Sequence, residues 1–149
     1  MRIATVTEDD LADLLPLMRG YCDFYGVEPA DDELLALARS LLADPDCEGF
    51  QVIGRDEADR ALGFATVYWS WSTLSAGRIA VMNDLFVHTD ARGTGLAEAL
   101  IEECRTRAGR RGCVSLEWAT AEDNLRAQQV YDRVGGKRED QWVNYSLGT

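Results

Sequence analysis

The stretch DLFVHTDARGTGLAEALI, from Asp84 to Ile101, decides the fold of this chain. Its start continues an apolar run, 81–87, that predicts a β-strand. The glycine-rich turn Arg92-Gly93-Thr94-Gly95-Leu96-Ala97 follows, and a helical pattern begins within that turn. A strand, a glycine turn and a helix N-terminus together offer free backbone N–H groups to a phosphate. The arginine adds a fixed positive charge, and the two glycines let a ligand approach the backbone closely.

The spacing around this turn excludes the two commonest nucleotide motifs. A dinucleotide fingerprint would need a third glycine where Glu98 stands, and a nucleoside-triphosphate loop needs a Gly-Lys pair. The only lysine of the chain is Lys137, far from the turn. Two alternatives stay open from this segment alone: another phosphate-bearing ligand, or a plain strand-to-helix connection that binds nothing.

Length and composition predict one globular domain spanning residues 1–149. The chain is 46% hydrophobic and 28% charged, typical of an ordinary folded protein. No apolar run approaches the ~20 residues of a membrane span, and the N-terminus predicts an edge strand rather than a signal peptide. The four cysteines are scattered and His88 is the sole histidine, which argues against a metal site. Dispersed thiols without an export signal favour the cytoplasm.

The charge is distributed unevenly along the chain. The net charge is −11, which argues against nucleic acid as a partner. Residues 1–77 carry a net charge of −10, whereas residues 78–149, which contain the glycine turn, carry only −1. Most of these carboxylates belong to solvated helix faces and loops. The asymmetry also suggests one anionic ligand and one cationic ligand.

Hydrophobic periodicity predicts an α/β fold, a mixed sheet with helices on its faces, in the order β-α-α-β-β-β-α-β-α-β. A first helix is expected from Thr7, ended by an aromatic turn over 20–26. A second follows Pro29. The later helices are expected over about 95–109 and 124–134, and the strands over 2–6, 50–54, 61–71, 78–87, 114–118 and 142–147.

Three segments in this order resemble the GCN5-related N-acetyltransferases, which transfer an acetyl group from acetyl-CoA to an amine. The first is DLFVHTDARGTGLAEALI, whose Arg-x-x-Gly-x-Ala core matches the pyrophosphate turn of that family. The second is the strand CVSLEWAT, 113–120. The third is NLRAQQVYDRVGG, 124–136, which matches an Asn-x-x-Ala-x-x-x-Tyr pattern followed by glycine. The resemblance covers essentially the whole chain.

The resemblance implies a role for each matching position. Main-chain groups of Leu85, Phe86 and Val87 would hold the pantetheine arm by strand-like pairing. The turn 92–97 would wrap the pyrophosphate of acetyl-CoA, and Asn124 would contact the cofactor as well. Tyr131 stands where the family has its general acid, which gives a proton to the departing thiolate. No metal is implied.

The base that deprotonates the amine is harder to assign. A lysine-like ammonium with a pKa of about 10.4 is almost entirely protonated at pH 7, which adds roughly 4–5 kcal/mol to the barrier. Many members of the family carry a glutamate where this chain has Asn83, which cannot take a proton. Asp84 is the nearest carboxylate, but neighbouring strand residues face opposite sides unless a bulge intervenes. Asp84 as base and deprotonation through ordered water both stay open.

The aromatic segment between the first two helices predicts where the acceptor binds. Tyr21, Asp23, Phe24, Tyr25 and Glu28 together suit a cation with an aliphatic body. Asn83 is expected to bind the acceptor as well, and Trp69 and Trp71 would share one face of their strand. The pattern MNDLFV looks most like the polyamine and thialysine branch of the family, which implies a small basic amine. Amines of peptides, proteins or aminoglycosides are the alternatives, as is a non-catalytic acyl-CoA-binding module. A homodimer through 142–145 is a further expectation.

Overall fold

The computed structural model describes all residues, 1–149, as two compact units, 1–119 and 120–149. The first unit contains most of the regular structure: β1 (Arg2–Thr5), α1 (Leu11–Phe24), α2 (Asp31–Ala43), β2 (Gly49–Arg55), β3 (Ala61–Ser72), β4 (Gly77–Val87), α3 (Leu96–Arg110) and β5 (Leu116–Glu117). The second unit contains α4 (Leu125–Arg133). Single 3₁₀ turns precede α1 and α3, at Glu8–Asp10 and Thr89–Ala91.

The five strands form one sheet in the order β1-β2-β3-β4-β5. The first four are antiparallel neighbours, whereas β5 lies parallel to β4. The predicted mixed sheet with helices is therefore confirmed. The long β3–β4 hairpin lies at its centre and carries the segment that was expected to meet the cofactor.

The two faces of the sheet are covered by different helices. On one face, Ile53 and Phe64 pack with Leu14, Leu17 and other buried residues of α1 and α2. On the other face α3 packs so closely that a Cβ on Gly54 would lie 2.6 Å from Leu96 Cδ1. We call these the α1/α2 face and the α3 face. Along β3, the side chains of Phe64, Thr66 and Tyr68 share the α1/α2 face, because alternate residues of a strand point the same way.

The start and end of the first helix differ from the prediction. Thr7 begins a 3₁₀ turn rather than the α-helix, with the Asp10 carboxylate accepting from the Thr7 amide at 2.9 Å. At the other end, α1 continues through Gly20 to Phe24, so the turn expected to start at Gly20 was wrong. Gly20 serves packing instead: a Cβ there would lie 2.7 Å from Cζ of Phe86 on β4.

The last two predicted strands are shorter than expected or absent. The strand expected over 114–118 is reduced to Leu116–Glu117. The expected strand over 142–147 does not form, and its apolar side chains are exposed. A strand is stable only when a neighbouring backbone satisfies its N–H and C=O groups, and this segment pairs with none.

Candidate functional site

The outer edge of β4 is open where the cofactor arm was expected. On that side β4 pairs with β5 only at Ala80 and Val81. From Met82 to Val87 its register partners are all on β3. The main-chain groups of Leu85, Phe86 and Val87 that face away from β3 are therefore available to an extended ligand, apart from the Val87 carbonyl, which accepts from Arg92 Nε.

The turn after β4 has the backbone geometry of an anion site. Gly93 and Gly95 have φ angles of 79° and 86°, a left-handed conformation that side-chain-bearing residues rarely adopt. A Cβ at either position would meet no atom within 4 Å, so the space beside both glycines is open. The first helical bond of α3 is Ala99 N–H to the Gly95 carbonyl, at 3.0 Å. The amides before Ala99 are the ones that a helix leaves for a ligand.

Three side chains of the turn stabilise its shape. Leu96 is 2% exposed and packs into the core, so only its backbone faces the turn. The Thr94 hydroxyl donates to the Ala91 carbonyl at 2.7 Å, and Arg92 Nε donates to the Val87 carbonyl at 3.4 Å. The Arg92 contact anchors the guanidinium stem to the end of β4, beside the turn.

A β-bulge in β4 determines where Asp84 points. The register pairs Val67 with Met82 but Thr66 with Asp84, so Asn83 has no partner on β3. One extra residue inverts the alternation of the strand beyond it. Asp84 therefore shares the α1/α2 face with Thr66, whereas a regular strand would have turned it toward α3. The Asn83 Nδ2 donates to Asp84 Oδ1 at 3.0 Å.

Tyr21, from the end of α1, lies beside this carboxylate and connects it to two further aromatic rings. The Tyr21 hydroxyl donates to the carbonyl of bulge residue Asn83 at 3.3 Å. The Tyr21 and Phe24 rings each lie 5.0 Å from the Tyr25 ring, edge to face. Phe24 and Tyr25 are exposed, which makes this group of rings the solvent-facing wall of the site. The structure thus brings together Asp84 and the four predicted acceptor residues, Tyr21, Phe24, Tyr25 and Asn83.

Burial and the Asp84 charge together hold two phenols in the neutral form. Burial, then the Asp84 carboxylate and the Tyr25 phenol, raise the pKa of Tyr21 well above its usual range. Burial, then Asp84 and Glu48, raise the pKa of Tyr68. A neutral phenol keeps its O–H as a donor, so both tyrosines can hydrogen-bond to a carboxylate or to a polar ligand.

Sequence reasoning missed the polar residues of β2 and β3 on this face. Thr66 is fully buried, yet it lies opposite Asp84, and Gln51 on β2 lies opposite Thr66. The sequence did contain a signal for Thr66 and Gln51, because both are polar residues inside largely apolar strands. Trp69 and Trp71 have the opposite alternation and so face α3, away from Asp84.

The α3 face carries a second concavity, of about 350 Å³, lined by Phe50, Trp69, Arg107, Arg110 and Arg111 among others. Two of these arginines already have partners. Arg107 Nε donates to Glu103 at 2.7 Å, and Arg111 pairs with Asp46 at 2.9 Å. The Trp69 indole N–H donates to the Pro45 carbonyl at 2.8 Å. These contacts join the end of α3 to the loop before β2, which gives the concavity a structural explanation.

In the second unit, Asn124 and Tyr131 belong to the same helix. The Asn124 side chain caps α4 by accepting from the Ala127 amide at 3.3 Å. Tyr131 is half-buried in the last part of α4, and its carbonyl accepts from the Gly136 amide at 2.8 Å, closing the helix. Capping is a role for Asn124 that the motif did not reveal.

Two further features are absent from the structure. No group of three or more His, Cys, Asp or Glu side chains is arranged to hold a metal ion. None of the helices has both the length and the apolarity that crossing a membrane requires.

A central strand with an open edge, followed by a glycine turn at a helix N-terminus, defines a class of proteins that bind an extended, phosphate-bearing ligand along a sheet. Comparison with known proteins specifies that class. Residues 13–136 match the model of the acetyltransferase (GNAT) family, and the chain belongs to that family.

Individual relatives agree with this assignment. The chain is 29% identical over 147 residues to the uncharacterized N-acetyltransferase YhfO of Bacillus subtilis (strain 168), covering 99% of this chain and 97% of that protein. It is 29% identical over 133 residues to a thialysine N-epsilon-acetyltransferase of Caenorhabditis elegans, covering 89% and 80%. A crystal structure of a probable acetyltransferase superposes with a TM-score of 0.87 at 31% identity, covering 100% and 98%. The protein is therefore a GNAT-family acetyltransferase.

Proposed function

We propose that this protein transfers the acetyl group of acetyl-CoA to a primary amine of a small basic molecule, such as a polyamine or a lysine-like compound. The observation that carries the proposal is the β-bulge at Asn83, which turns the Asp84 carboxylate toward the aromatic end of α1. The open edge of β4 continues directly from that bulge. A carboxylate for the amine and a backbone edge for the thioester arm thus lie on one strand.

The cofactor is expected to bind along β4 and its following turn. The open edge at Leu85, Phe86 and Val87 suits the amides of a pantetheine arm, which pair with a strand as a peptide does. The amides at the start of α3, with Gly93, Gly95 and Arg92, suit the pyrophosphate. Asn124 is assigned to the cofactor by the family motif alone.

The chemical step needs a base and an acid. The ammonium gives one proton to Asp84, and the neutral nitrogen attacks the thioester carbonyl. The C–S bond then breaks with its electron pair on sulfur, and Tyr131 supplies the proton that makes the thiol. The proton that the nitrogen sheds as the amide forms restores the phenol. General acid–base catalysis of this kind contributes about 10²–10⁴-fold.

The acceptor is inferred from the chemistry around Asp84. Aromatic faces attract a cation, and a carboxylate among them completes a site for an amine on an aliphatic chain. The chain also resembles a protein that acts on thialysine, which carries such an amine. Residues 1–77, which supply α1, α2 and the aromatic rings, carry a net charge of −10.

The test is release of free CoA from acetyl-CoA across polyamines, lysine analogues, aminoglycosides and amino-terminal peptides. Small basic amines should give the highest kcat/KM, and silence on every primary amine would refute the proposal. Tyr131→Phe should lower kcat by about 10²-fold or more while the Kd for CoA stays unchanged. A variant that lost both activity and CoA binding would assign Tyr131 to binding instead.

A non-catalytic acyl-CoA-binding module is the second candidate, and Asn83 favours it. The amide side chain of Asn83 cannot accept a proton. The module would bind CoA with normal affinity, release no thiol with any amine, and show no response to Tyr131→Phe. The panel assay and a CoA-binding titration on the same preparation separate the two functions.

We also propose that residues 1–149 act as one N-acetyltransferase domain, because the family model spans 13–136 and so includes parts of both units. A cytoplasmic location is proposed from the four dispersed cysteines, which suit a reducing compartment. A homodimer is proposed through the C-terminal segment. Trp142 and Tyr145 are 61% and 93% exposed there, unusually high for aromatic residues. Sedimentation of the whole chain and of Trp142→Ser, Tyr145→Ser tests this: only the parent chain should sediment as a dimer.

A further inference from the structure

A buried polar pair lies beside Asp84 and takes no part in the proton transfers of the proposed reaction. Gln51 on β2 is 3% exposed and Thr66 on β3 is fully buried. Gln51 Nε2 donates to Thr66 Oγ1 at 3.0 Å. The other side-chain atom of that amide, Gln51 Oε1, is the one buried side-chain N or O atom of the protein without a hydrogen-bond partner.

The register of the sheet aligns this pair with the carboxylate. Gln51 is directly opposite Thr66, and Thr66 is directly opposite Asp84. Opposed residues on adjacent strands share a face and lie about 5 Å apart. The three side chains therefore form a polar row across β2, β3 and β4, with Phe64 on one side of Thr66 and Tyr68 on the other.

The side chains of this polar row have hydrogen-bonding groups that they do not satisfy among themselves. The Thr66 hydroxyl accepts from Gln51, so its own hydrogen remains to be donated. Gln51 Oε1 needs a donor, and the Asp84 carboxylate can accept several. One water molecule satisfies all three requirements: it accepts from Thr66 and donates to Gln51 Oε1 and Asp84. Three hydrogen bonds are typical of a buried water.

We propose that Gln51 and Thr66 are positioning residues, which hold an ordered water against Asp84 and thereby orient its carboxylate. This inference rests on the proposed function, in which Asp84 accepts the proton of the amine. In that step the ammonium loses one proton and the carboxylate gains it, so charge is conserved. The water orients the carboxylate and keeps it ready to accept.

The surroundings of Asp84 contain other titratable groups that the test must hold constant. Tyr21 and Cys22 face it from α1, and Tyr68 faces it from β3. The amide of Asn83 donates to it from β4 itself. None of these groups is changed by substitutions at Gln51 or Thr66.

Thr66→Val is the first test, because valine keeps the shape of threonine and removes the hydroxyl. A carboxylate that loses a hydrogen-bond donor is protonated more easily, so the acid limb of kcat/KM should move to higher pH by about one unit. The KM for acetyl-CoA should not change. Thr66→Ser is the matched control, since it restores the hydroxyl and should restore the parent profile.

Gln51→Leu is the second test. If both residues act through one water, Gln51→Leu, Thr66→Val and the double variant should shift the acid limb by the same amount, because two changes that remove one interaction do not add. Thermal unfolding of each variant accompanies the kinetics. A lower Tm with an unmoved acid limb, or a Thr66→Ser profile equal to that of Thr66→Val, would overturn the proposal.

A readout without turnover separates this inference from the proposed function. A high-resolution crystal structure should contain a water about 2.5–3.0 Å from Gln51 Oε1. In Thr66→Val that water should be lost or displaced. A parent enzyme that acetylates no amine would refute the proposed function and leave the water test standing. An active parent enzyme whose crystal structure has no water at Gln51 would refute the inference alone.

Discussion

At the scale of single residues, one inserted position determines the chemistry of this site. Asn83 occupies the bulge, and its presence turns Asp84 onto the α1/α2 face. The Tyr21 hydroxyl donates to the carbonyl that the bulge exposes. The side chain of Asn83 donates to Asp84, so an amide that cannot itself take a proton supports a neighbouring carboxylate.

Asp84→Asn tests whether the carboxylate of Asp84 acts as the base in place of a side chain at position 83. Asparagine keeps the size and hydrogen-bonding oxygen of aspartate but cannot take a proton, so kcat/KM for the amine should fall by about 10²–10⁴-fold. The KM for acetyl-CoA and the Tm should remain near those of the parent. Initial rates at several pH values provide the measurement. Glu57→Gln, in the exposed turn before β3, is the control and should leave every parameter unchanged.

An unchanged rate for Asp84→Asn would exclude Asp84 as the base.

The position of this carboxylate could not be derived from the sequence. Alternation along β4 predicts that Asp84 faces away from the acceptor, and only the pairing with β3 reveals the bulge. A bulge depends on the partner strand, whose register the residues of β4 do not encode. The sequence therefore identifies Asp84 as the candidate base but does not predict the direction in which its side chain points.

At the scale of elements, the turn between β4 and α3 was the most predictable part of the molecule. Left-handed backbone favours glycine, and a helix N-terminus follows from the apolar period, so both features are local. The end of α1 was not predictable, because Gly20 is a usual helix stop. Here the ring of Phe86, which is distant in sequence, occupies the space that a Cβ on residue 20 would need. This packing favours glycine at position 20 within the helix.

Gly93→Ala and Gly95→Ala test the phosphate turn. Both positions have positive φ but open space, so each alanine should cost only about 1 kcal/mol of stability. A new methyl group beside the phosphate path should nevertheless raise the Kd for CoA about tenfold or more, measured by calorimetry. The matched control is Gly112→Ala beyond α3, where φ is 81° and the space is equally open.

Gly112→Ala should cost the same stability as the two turn variants and leave CoA affinity unchanged. Equal losses of affinity in all three variants would mean that backbone strain, and not the ligand site, explains the effect. Unchanged affinity in Gly93→Ala and Gly95→Ala would remove the turn from the CoA site.

At the scale of the whole molecule, the family and its fold were predictable from three motifs in order, whereas the C-terminal strand was not. The segment 142–147 has the composition of a strand, but a strand also needs a partner backbone, which composition cannot supply. The length of β5 was unpredictable for the same reason, because it depends on pairing with another strand. β5 pairs with β4 through only two residues and leaves the rest of the outer edge of β4 open.

The charge of the molecule leads to the last prediction. With a net charge of −11, of which −10 lies in residues 1–77, the protein attracts cations to the part of the chain that supplies most of the proposed acceptor site. Raising the ionic strength from about 0.01 M to 0.15 M shortens the screening length from roughly 30 Å to 8 Å. For a polyamine, kcat/KM should therefore fall roughly 3- to 10-fold, whereas kcat should change little.

A matched pair of substrates isolates this effect. A monoamine of the same chain length should lose less kcat/KM than a diamine or triamine, because the attraction scales with ligand charge. Acetyl-CoA is an anion, so its kcat/KM should rise or stay constant with salt. If every substrate responded equally, salt would be acting on the fold, and the acidic region would have no part in acceptor selection.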